Sequence, residues 1–199
     1  MTRISTWLAA SAVAFVTAQP IPALGQTGDR ESSASGARQL VAALQDFTAG
    51  LSRIHARNPA VKLRIDSHPA IPNERILVVD YPAPSDDPAA RDVWLDVEQR
   101  NWTEGRAITF QAKPDRPTKV SVSFADRNHV AFTTWIDLPD TTWQTVRVDF
   151  DKIRPNPFFQ PPGAAVGKPI DVSEVNALGF APQDRAAGRI AIGKIVLVR

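Results

Sequence analysis

The sequence predicts an all-β protein, an antiparallel sandwich or jelly roll with one short N-terminal helix, on three observations. Apolar residues recur with period two in segment after segment. The segments follow one another every 10 to 14 residues or so, separated by Pro- and Asp-rich turns. Between them there is no run with helical spacing, which excludes the alternating βα pattern of a parallel sheet.

The elements follow in order. From Ala37, Leu40, Val41, Leu44 and Phe47 recur at helical spacing, which predicts a short amphipathic helix ending near Gly50; Asp46-Phe47 opening the first strand is the alternative. After Pro59 the pattern changes to period two. Val61, Leu63 and Ile65 alternate with Lys62 and Arg64, Ile76 to Val79 is continuously apolar, and Val93, Leu95 and Val97 alternate with Trp94, Asp96 and Glu98. The series continues through Ile108, Phe110 and Ala112; Val120, Val122 and Phe124; Phe132, Ile136 and Leu138; and Val146, Val148 and Phe150. Pro114-Asp115-Arg116-Pro117, Asp126-Arg127-Asn128 and Pro139-Asp140 supply the turns. Arg154 to Lys168 (RPNPFFQPPGAAVGK) is too irregular for a strand and reads as a crossing loop pinned by Phe158 and Phe159, or as a binding loop. Asp171 to Val175 reads as one capped helical turn. Ala177 to Phe180 and Arg189 to Val198 close the chain as strands, the last apolar enough for a central position, with Gly193 marking a bulge or close approach.

Ahead of the domain, Arg3 is followed by an unbroken apolar and small-residue run from Trp7 to Ala18, shorter than the ~20 residues of a spanning helix. Residues 1–25 are therefore expected to be a signal peptide cleaved after Gly25, with Val16-Thr17-Ala18 as a second cleavage site and a retained anchor as the other reading. Residues 26–36 form a polar Ser/Gly-rich spacer and 37–199 a single domain that is exported, periplasmic or extracellular, with no membrane span once the leader is gone. There is no cysteine, which excludes disulfides, thiolate metal sites and a lipidated cysteine, and leaves packing to supply stability. The formal charge is +2 and the pI near 9.2, but acids and bases are interspersed without a basic run, so nucleic acid is not an expected partner.

The second half resembles a known family. Ala107 to Lys113 (AITFQAK), Trp143 to Ile153 (WQTVRVDFDKI), Ile170 to Phe180 (IDVSEVNALGF) and Gly188 to Leu197 (GRIAIGKIVL) look like successive landmarks of family-eleven carbohydrate-binding modules and of the complex I intermediate-associated protein 30 group. The likeness covers roughly residues 90 to 199. It implies a galactose-binding-like jelly roll and a non-catalytic binding function, toward carbohydrate or, in the intermediate-associated branch, toward a protein. Asp149 stands where the family often has proline, and the Pro-rich insertion is longer than the family pattern.

Parity sorts the candidate ligand-binding residues. In a sandwich the outward half of each strand meets a ligand, which here selects Trp94, Gln111, Thr133, Trp135, Asp137, Arg147 and Asp149, with Asp126 in a polar turn at a groove rim. Sugar recognition needs an aromatic face for the C–H patch of a pyranose and forked hydrogen bonds for its hydroxyls. Trp94 and Trp135 could stack; Arg147, Asp149, Gln111 and Asp137 could hydrogen-bond. Each tryptophan could equally be plain packing under a covering element. Trp102 and Trp143 read as core or turn anchors. His55, His68 and His129 show no metal-binding spacing, and no Gly-x-Ser-x-Gly elbow occurs, so no catalytic residue is assigned. No cofactor is expected apart from a structural calcium that Asp80, Asp86 and Asp87 could ligate, where a capped turn is the plainer reading.

Overall fold

A computed structural model describes residues 39–199 apart from 86, 88, 89 and 185. The signal peptide and spacer assigned to residues 1–36 lie outside the described residues, as does Asp86 of the calcium reading. The described residues form one compact unit.

Every strand expected from alternation forms. In chain order they are β1 (Leu40–Gln45), β2 (Ile54–Ala56), β3 (Lys62–Ser67), β4 (Arg75–Tyr81), β5 (Val93–Asp96), β6 (Ala107–Pro114), β7 (Thr118–Asp126), β8 (Ala131–Leu138), β9 (Gln144–Asp149), β10 (Arg154–Pro155), β11 (Val175–Pro182), β12 (Gly188–Ile192) and β13 (Ile195–Val198). A 3-10 turn, Phe150–Lys152, joins β9 to β10. All pairings are antiparallel and make two sheets. In the seven-stranded sheet β12 and β13 lie end to end along one side of β6, β9 lies along its other side, β4 and then β3 extend from β12, and β1 extends from β13. The break between β12 and β13 is at Gly193, whose N–H donates to the Gln111 carbonyl at 2.8 Å, so the expected close approach is real. The six-stranded sheet runs β10-β8-β7-β11-β5-β2.

The inward residues of the two sheets meet in one core. Leu77, Val79, Ile108 and Phe110 from one sheet face Val93, Leu95, Val122, Phe124 and Phe180 from the other, all at most 3% exposed. Phe110 and Phe180 bridge the sheets edge to face, with ring centroids 5.3 Å apart. At one end Trp102 is fully buried, stacked on Phe150 at 5.8 Å and edge-on to Phe124 at 6.2 Å, with its N–H donating to the Gln99 carbonyl. It is the core anchor its position suggested. Burial of each such side chain is worth ~2–3 kcal/mol, and this packing carries the stability that a cysteine-free chain cannot obtain from cross-links.

Two expectations are corrected. The N-terminal helix is absent: residues 40–45 are strand β1, paired with β13, and Phe47 then takes a left-handed conformation (φ 62°) in the turn that follows. Leu44 and Phe47 are buried, as the helical spacing required, but a strand ending in a tight turn presents the same two residues inward. The expected helical turn at 171–175 is a hydrogen-bonded turn in which the Asp171 carboxylate accepts from the Ser173 N–H (3.0 Å) and hydroxyl (2.6 Å), after which β11 begins at Val175.

Candidate sugar-binding face

Strand register decides which outward residues share a surface. Across the six-stranded sheet one row reads His55, Trp94, Gly179, Ser123, Thr133, Arg154. Two residues along, and so on the same face, the next row reads Ala181, Ser121, Trp135. Trp94 and Trp135 therefore stand on one outer face, three strand spacings apart. At ~4.8 Å per strand they are separated by roughly 14 Å across the sheet. Between them β11 carries Ala177, Gly179 and Ala181 on this face and β7 carries Ser121, Ser123 and Ala125, with Lys119 one row beyond Ser121. The result is a shallow trough with an indole at each side.

The two indoles differ. Trp135 is 42% exposed on β8, where β10 covers only Phe132 and Thr133. Trp94 is half-buried and lies flat against the backbone of Gly179. A Cβ at position 179 would sit 3.0–3.1 Å from three carbons of the Trp94 ring, closer than ordinary carbon contact, so the absence of a side chain there is what lets the ring lie down. Polar groups flank the trough. The Gln183 amide donates to the Ser121 hydroxyl at 3.1 Å beside Trp135, Lys119 pairs with Asp137 at 3.5 Å, and His55 Nε2 lies 3.0 Å from Asp96 Oδ2 beside Trp94. Gln183, His55 and Asp96 were not among the sequence candidates; register with Trp94 and Ser121 is the signal that finds them. Near the Ala131 end of β8, the Pro-rich loop is fastened by Gln160, whose side chain accepts from the Ala131 N–H (3.0 Å) and donates to its carbonyl (2.8 Å). The Asn156 side chain caps the N–H groups of Phe158 and Phe159, and these two phenylalanines stand 86% and 62% exposed.

The structure brings together only part of the predicted site. Trp94, Thr133, Trp135 and Asp137 share this face, although Thr133 is 2% exposed and its hydroxyl donates to the Val122 carbonyl at 3.4 Å. Gln111, Arg147 and Asp149 point outward as expected but from β6 and β9, on the seven-stranded sheet. Each is engaged there. The Arg147 guanidinium donates to Asp149 at 2.6 Å and Lys152 reaches the same carboxylate at 2.9 Å, and these bonds, that of Lys152 first, hold Asp149 below the usual carboxylate range. Gln111 Oε1 accepts from His68 Nε2 at 3.2 Å, while His68 Nδ1 accepts from the N–H groups of Ala70 and Ile71, so the ring is fixed as the Nε2–H tautomer and packs, tilted by 31°, against Trp143 with ring centroids 4.5 Å apart.

Asp126 is not a groove rim. It is 1% exposed, with Oδ1 accepting from the N–H groups of Asn128 (3.0 Å) and Val130 (3.2 Å) and Oδ2 from the N–H of Asp171 (3.1 Å). It ties the β7–β8 turn, where His129 is left-handed (φ 56°), to the loop before β11. Asp80 is likewise spent: its two oxygens accept from Arg64 (2.6 Å) and Arg189 (2.5 Å) on the seven-stranded sheet, which removes it from the calcium reading. Among the described residues no group of three or more acids and histidines is gathered as for a metal ion. An open hollow of about 470 Å³ lies between the β1–β2 turn and the β3–β4 hairpin, lined by Phe47, Thr48, Ser67, Asn73, Glu74 and Arg75 among others, with its one aromatic ring, Phe47, turned into the core.

No protein-family model matches the chain, and no curated protein does. Solved structures do. The chain is similar to the family 11 carbohydrate-binding module from Clostridium thermocellum, solved in complex with a β-1,3-1,4-mixed-linked tetrasaccharide (17% identity, TM-score 0.61, 78% of this chain and 94% of that one). It is similar to the family 11 module of a cellulosomal cellulase of the same organism (16% identity, TM-score 0.60, 81% and 95%). A family 30 carbohydrate-binding module of a cellulosomal cellulase, also from Clostridium thermocellum, aligns at 13% identity and TM-score 0.51 over 72% and 89%. At these identities the likeness establishes the fold alone: a two-sheet antiparallel jelly roll of the kind these modules have.

Proposed function

We propose that this domain is a non-catalytic carbohydrate-binding module that takes a poly- or oligosaccharide across the outer face of the six-stranded sheet. The observation that carries the reading is the shared face of Trp94 and Trp135, with alanine and serine between an indole lying over Gly179 and an indole standing exposed on β8. An exposed indole on a strand leaves apolar area in water that a pyranose ring can cover, while serine hydroxyls and the Gln183, His55 and Asp96 groups offer donors and acceptors to sugar hydroxyls. The trough is shallow and runs across strands, which suits a chain lying along it rather than a small molecule enclosed in it. Lys119 is paired with Asp137 and His55 is hydrogen-bonded to Asp96, which leaves few uncommitted groups of either sign beside the trough and suits a neutral glycan. Arg3 and the apolar run that follows it support a site of action outside the cytoplasm.

Affinity gel electrophoresis against a panel of soluble polysaccharides tests this. Mixed-linkage β-glucan is the first probe, since a structurally similar module was solved with an oligosaccharide of that linkage. Saturable retardation by at least one neutral polysaccharide, weakened in Trp135→Ala and Trp94→Ala, is the expected result; retardation unchanged in both variants removes the site. A protein-docking role is the second reading, favoured by the exposure of Phe158 and Phe159 between Asn156 and Gln160, both of which are hydrogen-bonded to Ala131. It expects a Phe158→Ser/Phe159→Ser variant to lose a partner protein while keeping its fold.

A further inference from the structure

The Pro-rich segment after β10 is fastened to the edge of the six-stranded sheet. The Asn156 N–H donates to the Ala131 carbonyl at 2.7 Å, and the Gln160 side chain holds both the N–H and the carbonyl of the same residue. Gln160 also donates to the Asn156 carbonyl at 2.9 Å, which closes residues 156–160 on themselves. Inside this loop the Asn156 side-chain oxygen accepts from the N–H groups of Phe158 (2.9 Å) and Phe159 (3.3 Å). The NH2 of that amide is left with no partner among the described residues. Arg154 is turned back to the carbonyls of Asp151 and Ile153. The backbone beneath the two exposed phenylalanines is therefore fixed, and Pro157 and Pro161 stiffen it further. Register places the anchor point on the outer face already described. The row next to that of Trp94 reads Asp96, Ala177, Ala125, Ala131, so three alanines continue the floor up to the loop. The loop lies beyond β8 on the β10 side, four strand spacings from β5, or ~19 Å, against ~14 Å from the strand of Trp94 to that of Trp135.

We propose that Phe158 and Phe159, with the Asn156 amide beside them, form an outer subsite of the glycan face, reached by chains that extend past β8. The proposal rests on the reading of this face as the glycan site. At 86% and 62% exposure the two rings present roughly 300 Å² of apolar surface. A stable protein interface buries about 800 Å² on each partner, so the pair is small for an interface of its own. It is ample for one or two pyranose faces, and the free Asn156 NH2 offers donors to their hydroxyls. Because the loop is already ordered, little conformational freedom is lost when a sugar settles on it. A short oligosaccharide that spans the floor between Trp94 and Trp135 does not reach the rings. A longer chain leaving over the β8 edge does, so the loop makes affinity depend on chain length.

The test uses the full domain, mixed-linkage β-glucan, and a series of its oligosaccharides from the shortest that binds upward, with affinity measured by isothermal titration and by affinity gels. Wild-type affinity is expected to rise with chain length by about ten-fold, the worth of covering one ring face. A Phe158→Ser/Phe159→Ser variant is expected to match the wild type on the shortest ligand and to lose that gain on the longest and on the polymer. A Phe158→Tyr/Phe159→Tyr variant, which keeps the rings, is expected to retain it. Both should unfold in urea at the wild-type midpoint, since the exposed rings carry little packing. Trp135→Ala, run alongside, is expected to weaken every length. If Trp135→Ala weakens binding but the serine variant binds the polymer as the wild type does, the outer subsite falls and the glycan face stands. That result, together with loss of a partner protein in the serine variant, assigns the rings to protein docking instead. Weakening of the serine variant by the same factor at every length also overturns the proposal. If the wild type binds no length at all, the glycan reading fails and the outer subsite fails with it.

Discussion

Replacing Trp135 with alanine removes the most exposed indole of the trough. A tryptophan presents 150–250 Å² for burial, so at 42% exposure roughly 100 Å² of Trp135 is open to a ligand. Covering all of it at ~25 cal/mol per Å² would stabilise a complex by ~2.5 kcal/mol, and a pyranose that covers one ring face realises about half of that. The expected loss is therefore about ten-fold in affinity. The ring also packs on its neighbours through the part already covered, so the variant should be less stable by ~1–2 kcal/mol, a fall in Tm of roughly 3–8 °C for a domain of this size. Binding measured by isothermal titration with a mixed-linkage β-glucan oligosaccharide at 20 °C, alongside urea unfolding, separates the two effects. A folded Trp135→Ala variant with wild-type affinity refutes the stacking argument.

Further outcomes follow from the same geometry. Gly179→Ala places a methyl group 3.0 Å from the Trp94 ring, which must lift by about half an ångström; glycan affinity should fall as far as in Trp94→Ala, with a stability change within ~1.5 kcal/mol because the ring can swing into solvent. Arg147→Ala, on the opposite sheet, should leave glycan retardation unchanged in the same gels. Asp126→Ala leaves the N–H groups of Asn128, Val130 and Asp171 without their acceptor and should cost about 3 kcal/mol in urea unfolding. Asp92 gives a pH signature opposite to that of a paired carboxylate. Its folded pKa is raised by burial and, after it, by the nearby Asp87, so the folded state binds the proton more tightly than the unfolded one, and this contribution to stability falls as pH rises from about 4 to about 6, then stays constant. Asp92→Asn should flatten that fall and be more stable than wild type at pH 7 by ~1 kcal/mol, less than the full shift implies because water reaches the half-exposed group.

Alternation made the strands legible because a side chain two residues along a strand returns to the same face whatever the strand pairs with. It placed Val122 and Phe124 inward and Trp135 outward without any knowledge of neighbours. It could not say which sheet a strand joins. Arg147 and Asp149 have the outward parity expected of ligand-facing residues, but β9 pairs with β6 and so carries them to the face opposite Trp135. Nor does parity show what an outward residue touches: Thr133 is outward and buried, and Gln111 is outward and committed to His68. Asp126 was misread because one of its partners, the N–H of Asp171, lies 45 residues away in the chain. The spacing of Leu40, Leu44 and Phe47 fits a helix turn and equally a strand followed by a left-handed residue, and pairing with β13 decides for the strand. The role of Gly179 was hidden for the same reason, since only register reveals that Trp94 lies across it.

The chain has five tryptophans, and their indole N–H groups report separately in an ¹H–¹⁵N spectrum. Titrating the labelled domain with a mixed-linkage β-glucan oligosaccharide asks directly which face meets the sugar. Saturable shifts at Trp94 and Trp135, with Trp102 and Trp143 unmoved, are the predicted result. Shifts confined to Trp143, beside His68 and Gln111 on the seven-stranded sheet, would place the ligand on the other side of the sandwich and contradict the account.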